Sequence, residues 1–177
     1  MQTQKPLLNT HVKLLAFDLL SLTQTTPSSS SSSDPFPTFY RRGIPISRAE
    51  TVGTVILRDH KPNKFLRFAI DDGTGCIPCI LWLNQLTSPY LARRRTPQEV
   101  TLIAESAARF AAVVRIGVVA RVRGRITEYK GAIQMNVSDV VVERDPNAEM
   151  LHWLDSINLA RNCYNLLPVP SSAPPTK

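Results

Sequence analysis

From residue 49 to residue 142 the apolar positions recur mainly with a period of two, the spacing of half-buried strands. Residues 49–57 (AETVGTVIL) are β-branched with Gly53 inside, which predicts a strand carrying a bulge or a barrel bend. Residues 64–70 alternate, with Leu66, Phe68 and Ile70 on one face and Phe65, Arg67 and Ala69 on the other. Asp71-Asp72-Gly73-Thr74-Gly75 reads as a hairpin turn into a third strand at 77–83. The period then changes. Residues 97–112 are alanine-rich and helix-prone, with Thr96 placed to cap and Pro97 at the first helical position. Alternation returns at 115–126, where Val118, Ala120 and Val122 oppose Val119, Arg121, Arg123 and Arg125. A turn at 128–131 leads to a fifth strand at 132–142, where Ile133, Met135 and Val137 share a face. The order of three strands, a helix and two strands is that of the OB-fold, a closed five-stranded barrel with its helix between the third and fourth strands. The fold class expected is all-β with accessory helices, the barrel occupying residues 39–146.

After Asp145 the period is helical. Met150, Trp153, Leu154, Ile157 and Tyr164 follow steps of three, one, three and seven and form one apolar stripe, with Asp145 as cap and Pro146 in the first turn. This helix (147–165) either folds back on the barrel or meets a partner. Residues 1–23 form a separate apolar segment, in which Val12, Leu15, Leu19 and Leu22 have helical spacing although VKLLAF reads equally as the start of a strand. Residues 24–38, with serines 28–33 between prolines, and the proline-rich tail 166–177 are expected to be disordered.

At 177 residues and 43% apolar content the chain has room for one domain with a core. No apolar run approaches the roughly 20 residues of a membrane helix. The start MQTQKPLLNTHVK lacks the pattern of a secretory signal, and three cysteines are an odd number, so a soluble intracellular protein is expected. The formal charge is +7. Between Arg93 and Arg125, eight arginines face only Glu99 and Glu105, so this stretch carries 8 − 2 = +6. Arginine suits phosphate forks and base stacking, where lysine offers a point charge.

Signals for catalysis are scarce. His11, His60 and His152 are widely separated, and phosphate-loop, zinc-protease and nucleophile-elbow motifs are lacking. Cys76-Ile77-Pro78-Cys79 is a CxxC, but it runs into a strand rather than a helix and has no further ligand pair nearby, so neither metal nor cofactor is expected. Nucleic-acid signals are better. OB-folds hold single strands by aromatic stacking in a basic groove across the second and third strands. Trp82 lies on the third strand, opposite Cys79 and Leu81 by alternation, and is either a core residue or a stacking platform. Tyr129 lies in the turn between the last two strands. With Arg67, Arg121, Arg123, Arg125 and Lys130 these form the candidate DNA site.

Four segments, FYRRGIPISRAETVGTVILRD, FAIDDGTGCIPCILWL, ARVRGRITEYKG and ERDPNAEMLHWLDSINLARNCY, resemble the Stn subunit of the CST telomere complex, a relative of the middle subunit of replication protein A. The resemblance covers residues 11–22 and 39–164. The DDGTG hairpin alone is shared by many OB-folds; its combination with RVRG and the Trp-bearing helix is more specific. The resemblance implies a nuclear, non-enzymatic protein at chromosome ends. It would bind single-stranded telomeric DNA, protect the overhang and support complementary-strand fill-in by DNA polymerase α–primase. It implies a trimer with a large Ctc and a small Ten subunit, the helix at 148–164 packing against Ten through Met150, Trp153, Leu154, Ile157 and Tyr164. It also implies that the segment before the first strand packs on the barrel. Fungal and animal members continue into winged-helix domains, whereas this chain resembles the short plant form. Two other readings stand beside it: a protein–protein scaffold that binds no DNA itself, and, more remotely, a thiol enzyme using Cys76 and Cys79.

Overall fold

The computed structural model describes residues 7–24 and 38–168. The serine-rich stretch, all but its end residues Gln24 and Thr38, and the tail from residue 169 lie outside the described residues. The N-terminal segment resolves into both alternatives that its pattern left open. Strand β1 (His11–Lys13) is followed by helix α1 (Ala16–Leu20). Its apolar residues Val12, Leu14, Ala16 and Leu19 are buried in the common core. Short strands β2 (Thr23–Gln24), β3 (Phe39–Arg41) and β4 (Ile44–Ile46) form a small antiparallel sheet that buries Phe39 and Ile46.

The barrel comprises β5 (Arg48–Lys61), β6 (Phe65–Asp71), β7 (Cys76–Trp82), β8 (Val119–Tyr129) and β9 (Ala132–Val142). Neighbours run β5-β6-β7-β9-β8, and β8 pairs with β5 again, which closes the sheet. The β7–β9 contact is parallel and the others antiparallel. The first strand is longer than its alternation suggested because it serves two neighbours. Its early half pairs with β8 and its later half with β6, the switch falling at Thr54. Gly53 stands beside that switch. A side chain there would put its Cβ 2.5 Å from the Asp71 carbonyl oxygen, so only glycine lets β5 cross so close to the end of β6. The register shift itself comes slightly later, between Val55 and Leu57.

Inward positions follow the predicted alternation: Leu66, Phe68, Ile70, Ile77, Ala120, Val122 and Met135 are buried in one cluster. The β8–β9 hairpin turns at Lys130 and Gly131, with φ of 53° and 78°, a two-residue turn suited to strand twist. Between β7 and β8 come a short helix α2 (Pro89–Ala92) and helix α3 (Pro97–Val113). A reciprocal capping box between Thr96 and Glu99 starts α3, with Pro97 at its first turn. The final helix α4 (Ala148–Asn162) starts from Asn147. Asp145, expected as its cap, instead accepts from the Asn147 backbone N–H at 2.8 Å and forms the turn before the helix.

Candidate nucleic-acid interface

The outer faces of β6 and β7 carry the residues that alternation leaves over from the core. Register sets Phe65 opposite Trp82 and Arg67 opposite Ile80. The Phe65 and Trp82 rings meet edge to face at 6.2 Å, and Trp82 is 42% exposed. The Arg67 guanidinium lies 4.6 Å from the Phe65 ring centroid and 5.6 Å from that of Tyr129, which is 48% exposed at the tip of β8. Lys61 and Lys130 close the cluster, their ammonium groups 5.5 Å and 5.4 Å from the Phe65 and Tyr129 centroids. Arg67, Trp82, Tyr129 and Lys130 are thus brought together, joined by Phe65 and Lys61. The two additions could have been found, since Phe65 shares the Arg67 face by alternation and Lys61 closes the hairpin opposite it. Exposed ring faces interleaved with cations form a surface on which bases stack while phosphates are neutralised.

Arg121 and Arg123 are not part of this cluster. They project from β8 toward the early half of β5, where Glu50 is buried between them. Arg121 Nη1 donates to Glu50 Oε1 at 2.8 Å and its Nε to Glu143 at 2.6 Å; Arg123 Nε donates to Glu50 Oε2 at 2.6 Å. Asp139 lies 3.6 Å from Arg123 Nη1. Burial alone would push the Glu50 carboxyl up, but the hydrogen bonds from Arg123 and Arg121 outweigh it and hold the group below its ordinary range. Burial likewise disfavours the Arg121 charge, and Glu143 and Glu50 more than restore it. These two arginines fasten strands to each other. Arg125 lies half-buried opposite Arg48 on the same flank.

Helix α4 lies over β1 and β5 with an inverted arrangement. The residues it buries are Ala148, His152 and Ser156, small or polar, while Met150 and Leu154 are 67% and 60% exposed. His152 Nε2 stands 3.2 Å from the Leu14 carbonyl, and burial holds its pKa below the ordinary 6.5. Trp153, half-buried, donates its indole N–H to the Asp72 carbonyl at 2.9 Å. The Asp72 carboxylate in turn accepts from the Ala16 backbone N–H at 2.7 Å, so the hairpin turn between β6 and β7 ties α1 to α4. Met150, Trp153, Leu154 and Ile157 wall a groove of about 730 Å³ whose floor includes Ile56 and Gly73. Tyr164 corrects the expected stripe. It sits beyond the helix in a 3₁₀ turn and is buried against the chain's own core, its hydroxyl accepting from the Lys13 N–H at 3.3 Å and the Arg41 guanidinium 5.9 Å from its ring centroid. Periodicity alone could not separate it, because seven residues is two helical turns only if the helix continues.

The CxxC is divided by the pleat. Cys76 faces outward and Cys79 faces the core, where burial raises its thiol pKa. Residues three apart on a strand point to opposite faces, so the two sulfurs do not share a site.

Residues 50–143 match the family described as OB-fold nucleic acid binding domain. CST complex subunit STN1 of Arabidopsis thaliana is 48% identical over 92% of this chain and 96% of its own length. The Bos taurus subunit of the same name is 29% identical over 72% of this chain, which corresponds to 36% of that longer protein. Among solved structures, the fold is shared with a chain of a replication protein A heterotrimer bound to single-stranded DNA (TM-score 0.62, 18% identity, 86% of this chain and 97% of the other). It is shared also with a chain of the S. pombe Stn1–Ten1 complex (TM-score 0.61, 16% identity, 85% and 91%). With the barrel, the Trp-bearing helix and nearly end-to-end similarity to the plant relative in agreement, the chain belongs to the family of CST complex subunit STN1.

Proposed function

We propose that this chain is a non-enzymatic subunit of a telomere-end complex of CST type, which binds single-stranded telomeric DNA on the β6–β7 face and a small Ten-type subunit in the groove beside α4. In this reading it works in the nucleus at chromosome ends, with a large Ctc subunit, protecting the overhang and supporting fill-in by DNA polymerase α–primase. The observation that carries the DNA reading is the cluster of Phe65, Arg67, Trp82, Tyr129 and Lys130, whose cations lie over aromatic rings rather than against carboxylates. The inverted polarity of α4 supports the partner reading. Met150, Leu154 and Ile157 are left exposed along one side of the groove, and burial of such a surface is what drives stable association.

A second reading, a scaffold without DNA binding of its own, is favoured by one observation: Arg121 and Arg123 are already paired with Glu50, Glu143 and Asp139. Binding of single-stranded telomeric DNA by the full chain, with and without the small subunit, separates the two. Trp82→Ala is expected to cost about 1–3 kcal/mol of affinity, and Trp82→Ala/Tyr129→Ala more. A folded double variant that binds as tightly as the wild type would establish the scaffold reading instead.

A further inference from the structure

We propose that the edge of β5 from Leu57 to Lys61, with the groove between it and α3, takes an extended, acid-bearing peptide of a partner protein as an added strand. On one side β5 is paired with β8 only as far as Thr54; on the other it is paired with β6 as far as Lys61. Past that switch the segment leading into β8 bonds Val55 alone. Gly117 N–H donates to the Val55 carbonyl at 2.8 Å, and Val55 N–H donates to the Val118 carbonyl at 2.9 Å. From Leu57 onward the edge opposite β6 has no backbone partner among the described residues. It amounts to about 17 Å of strand, and residues 56–61 are all exposed. Such an edge offers N–H and C=O groups to any chain that can lie flat against it.

The groove beside the edge lets a backbone approach. Register sets Arg58 opposite Phe68 and His60 opposite Leu66, so both side chains stand on the inward face of the β5–β6 hairpin. There they line a groove of about 450 Å³ with Leu83, Leu86 and, on α3, Ala104, Ala108 and Ala112. Alanines four apart share one face of the helix, and that low wall leaves the room a larger side chain would fill. Arg58 closes one end. Its Nε donates to the Val114 carbonyl at 2.8 Å and its Nη2 to the Ala111 carbonyl at 3.5 Å, which fixes the guanidinium over the last turn of α3. Arg58 is in no ion pair among the described residues. Glu105, the acid that lines the groove, stands more than a turn of α3 away from Ala111. The charge selects the occupant. Two copies pairing edge to edge would bring Arg58 and Lys61 of each beside those of the other, and like charges across a strand pair are destabilising. A strand bearing aspartate or glutamate instead gains a partner in the anchored Arg58. A single-stranded nucleic acid fits less well, because no Trp, Tyr or Phe lines the groove and a phosphodiester has no donor for the strand's carbonyls.

The test selects displayed random peptides of about seven residues against the full chain, then measures an enriched peptide, made synthetically, by fluorescence anisotropy. Enriched sequences are expected to be rich in β-branched residues and to carry an aspartate or glutamate. Ala108→Phe fills the groove from an exposed position. It should weaken the peptide about 10-fold or more, and methylating alternate backbone nitrogens of the peptide should do the same, since strand hydrogen bonds are lost. Arg58→Gln should weaken it about 5-fold, whereas the peptide with its acid changed to the amide should bind the wild type and Arg58→Gln alike. If Arg58→Gln melts lower because its contacts with α3 are gone, Ala108→Phe, checked by an unchanged melt, and the methylated peptide still decide. A selection that enriches nothing, or only sequences without an acid, overturns the proposal. So does a peptide that binds Ala108→Phe as tightly as the wild type, or one that tolerates methylation. Loss of single-stranded DNA binding by folded Ala108→Phe would overturn it too, by assigning the groove to nucleic acid.

Discussion

The open face of β6 and β7 and the flank beneath α4 both carry arginines, and they use that charge in opposite ways. On the flank, Arg121 and Arg123 each meet two carboxylates, and the buried Glu50 ties them to β5. On the open face, Arg67, Lys61 and Lys130 lie over the rings of Phe65 and Tyr129. By count, the arginine-rich stretch from 93 to 125 dominates the chain's charge. By geometry, Arg121 and Arg123 are spent on cohesion, and a smaller set of cations remains for a polyanion. A charge total along the chain therefore locates basic residues without locating basic surface.

The sharpest way to separate the regions is to disable the flank's outer helix and ask whether the open face notices. Leu154→Glu places a carboxylate in the groove walled by Met150, Trp153 and Ile157. It is expected to abolish pairing with the small Ten-type subunit in size-exclusion chromatography, since an unpaired charge in an apolar contact is strongly disfavoured. Because Leu154 is exposed, the lone chain should melt as before and bind single-stranded DNA as before. Loss of stability in the lone chain with intact pairing would mean that α4 serves the barrel only.

A smaller effect is expected inside the flank. Glu50→Ala leaves Arg121 and Arg123, side by side on one face of β8, with one partner fewer apiece, and should destabilise the fold by about 2–3 kcal/mol, as measured by denaturant unfolding. It should not weaken DNA binding by the folded protein, and could strengthen it by releasing cations. A fall in affinity without unfolding would show that the flank belongs to the DNA site.

Smaller again is a pH effect. Burial lowers the His152 pKa below 6.5, so the packed ring refuses a proton that the unfolded chain accepts. Stability from this group is full above pH 6.5 and is lost as pH falls from there through the folded pKa. His11 is shifted in the same direction, by burial first and then by Arg48 and Arg123. The His152 share is thus the difference between the wild type and His152→Asn in melting temperature against pH. A difference that stays constant below pH 6.5 would contradict it.

The sequence made the barrel legible because alternation is a local property. The faces of β6 and β8, the α3 cap at Thr96 and the hairpin at Lys130-Gly131 all follow from residues a few positions apart. What escaped it depends on partners far along the chain. The split of residues 11–20 into β1 and α1 requires the parallel pairing of β1 with β5, and the sheet of β2, β3 and β4 spans the serine-rich stretch. The site divided in the same way. Trp82 and Arg67 were placed by their strands, whereas the engagement of Arg121 and Arg123 depends on a register that sets Glu50 opposite Arg123. On α4 the apolar stripe was visible, but not that His152 and Ser156, rather than the stripe, would face the barrel. Tyr164 was misplaced because the helix ends before it.

The most direct measurement sets Arg67→Ala beside Arg123→Ala in single-strand binding across a range of salt concentrations. Removing Arg67 is expected to cost about 1 kcal/mol of affinity and to lower the salt slope by about 0.7, one phosphate's share. Removing Arg123 is expected to change neither in the folded protein, because Glu50 and Asp139 already hold its charge. The reverse result, a slope that falls with Arg123 and not with Arg67, would place the strand on the flank and contradict this account.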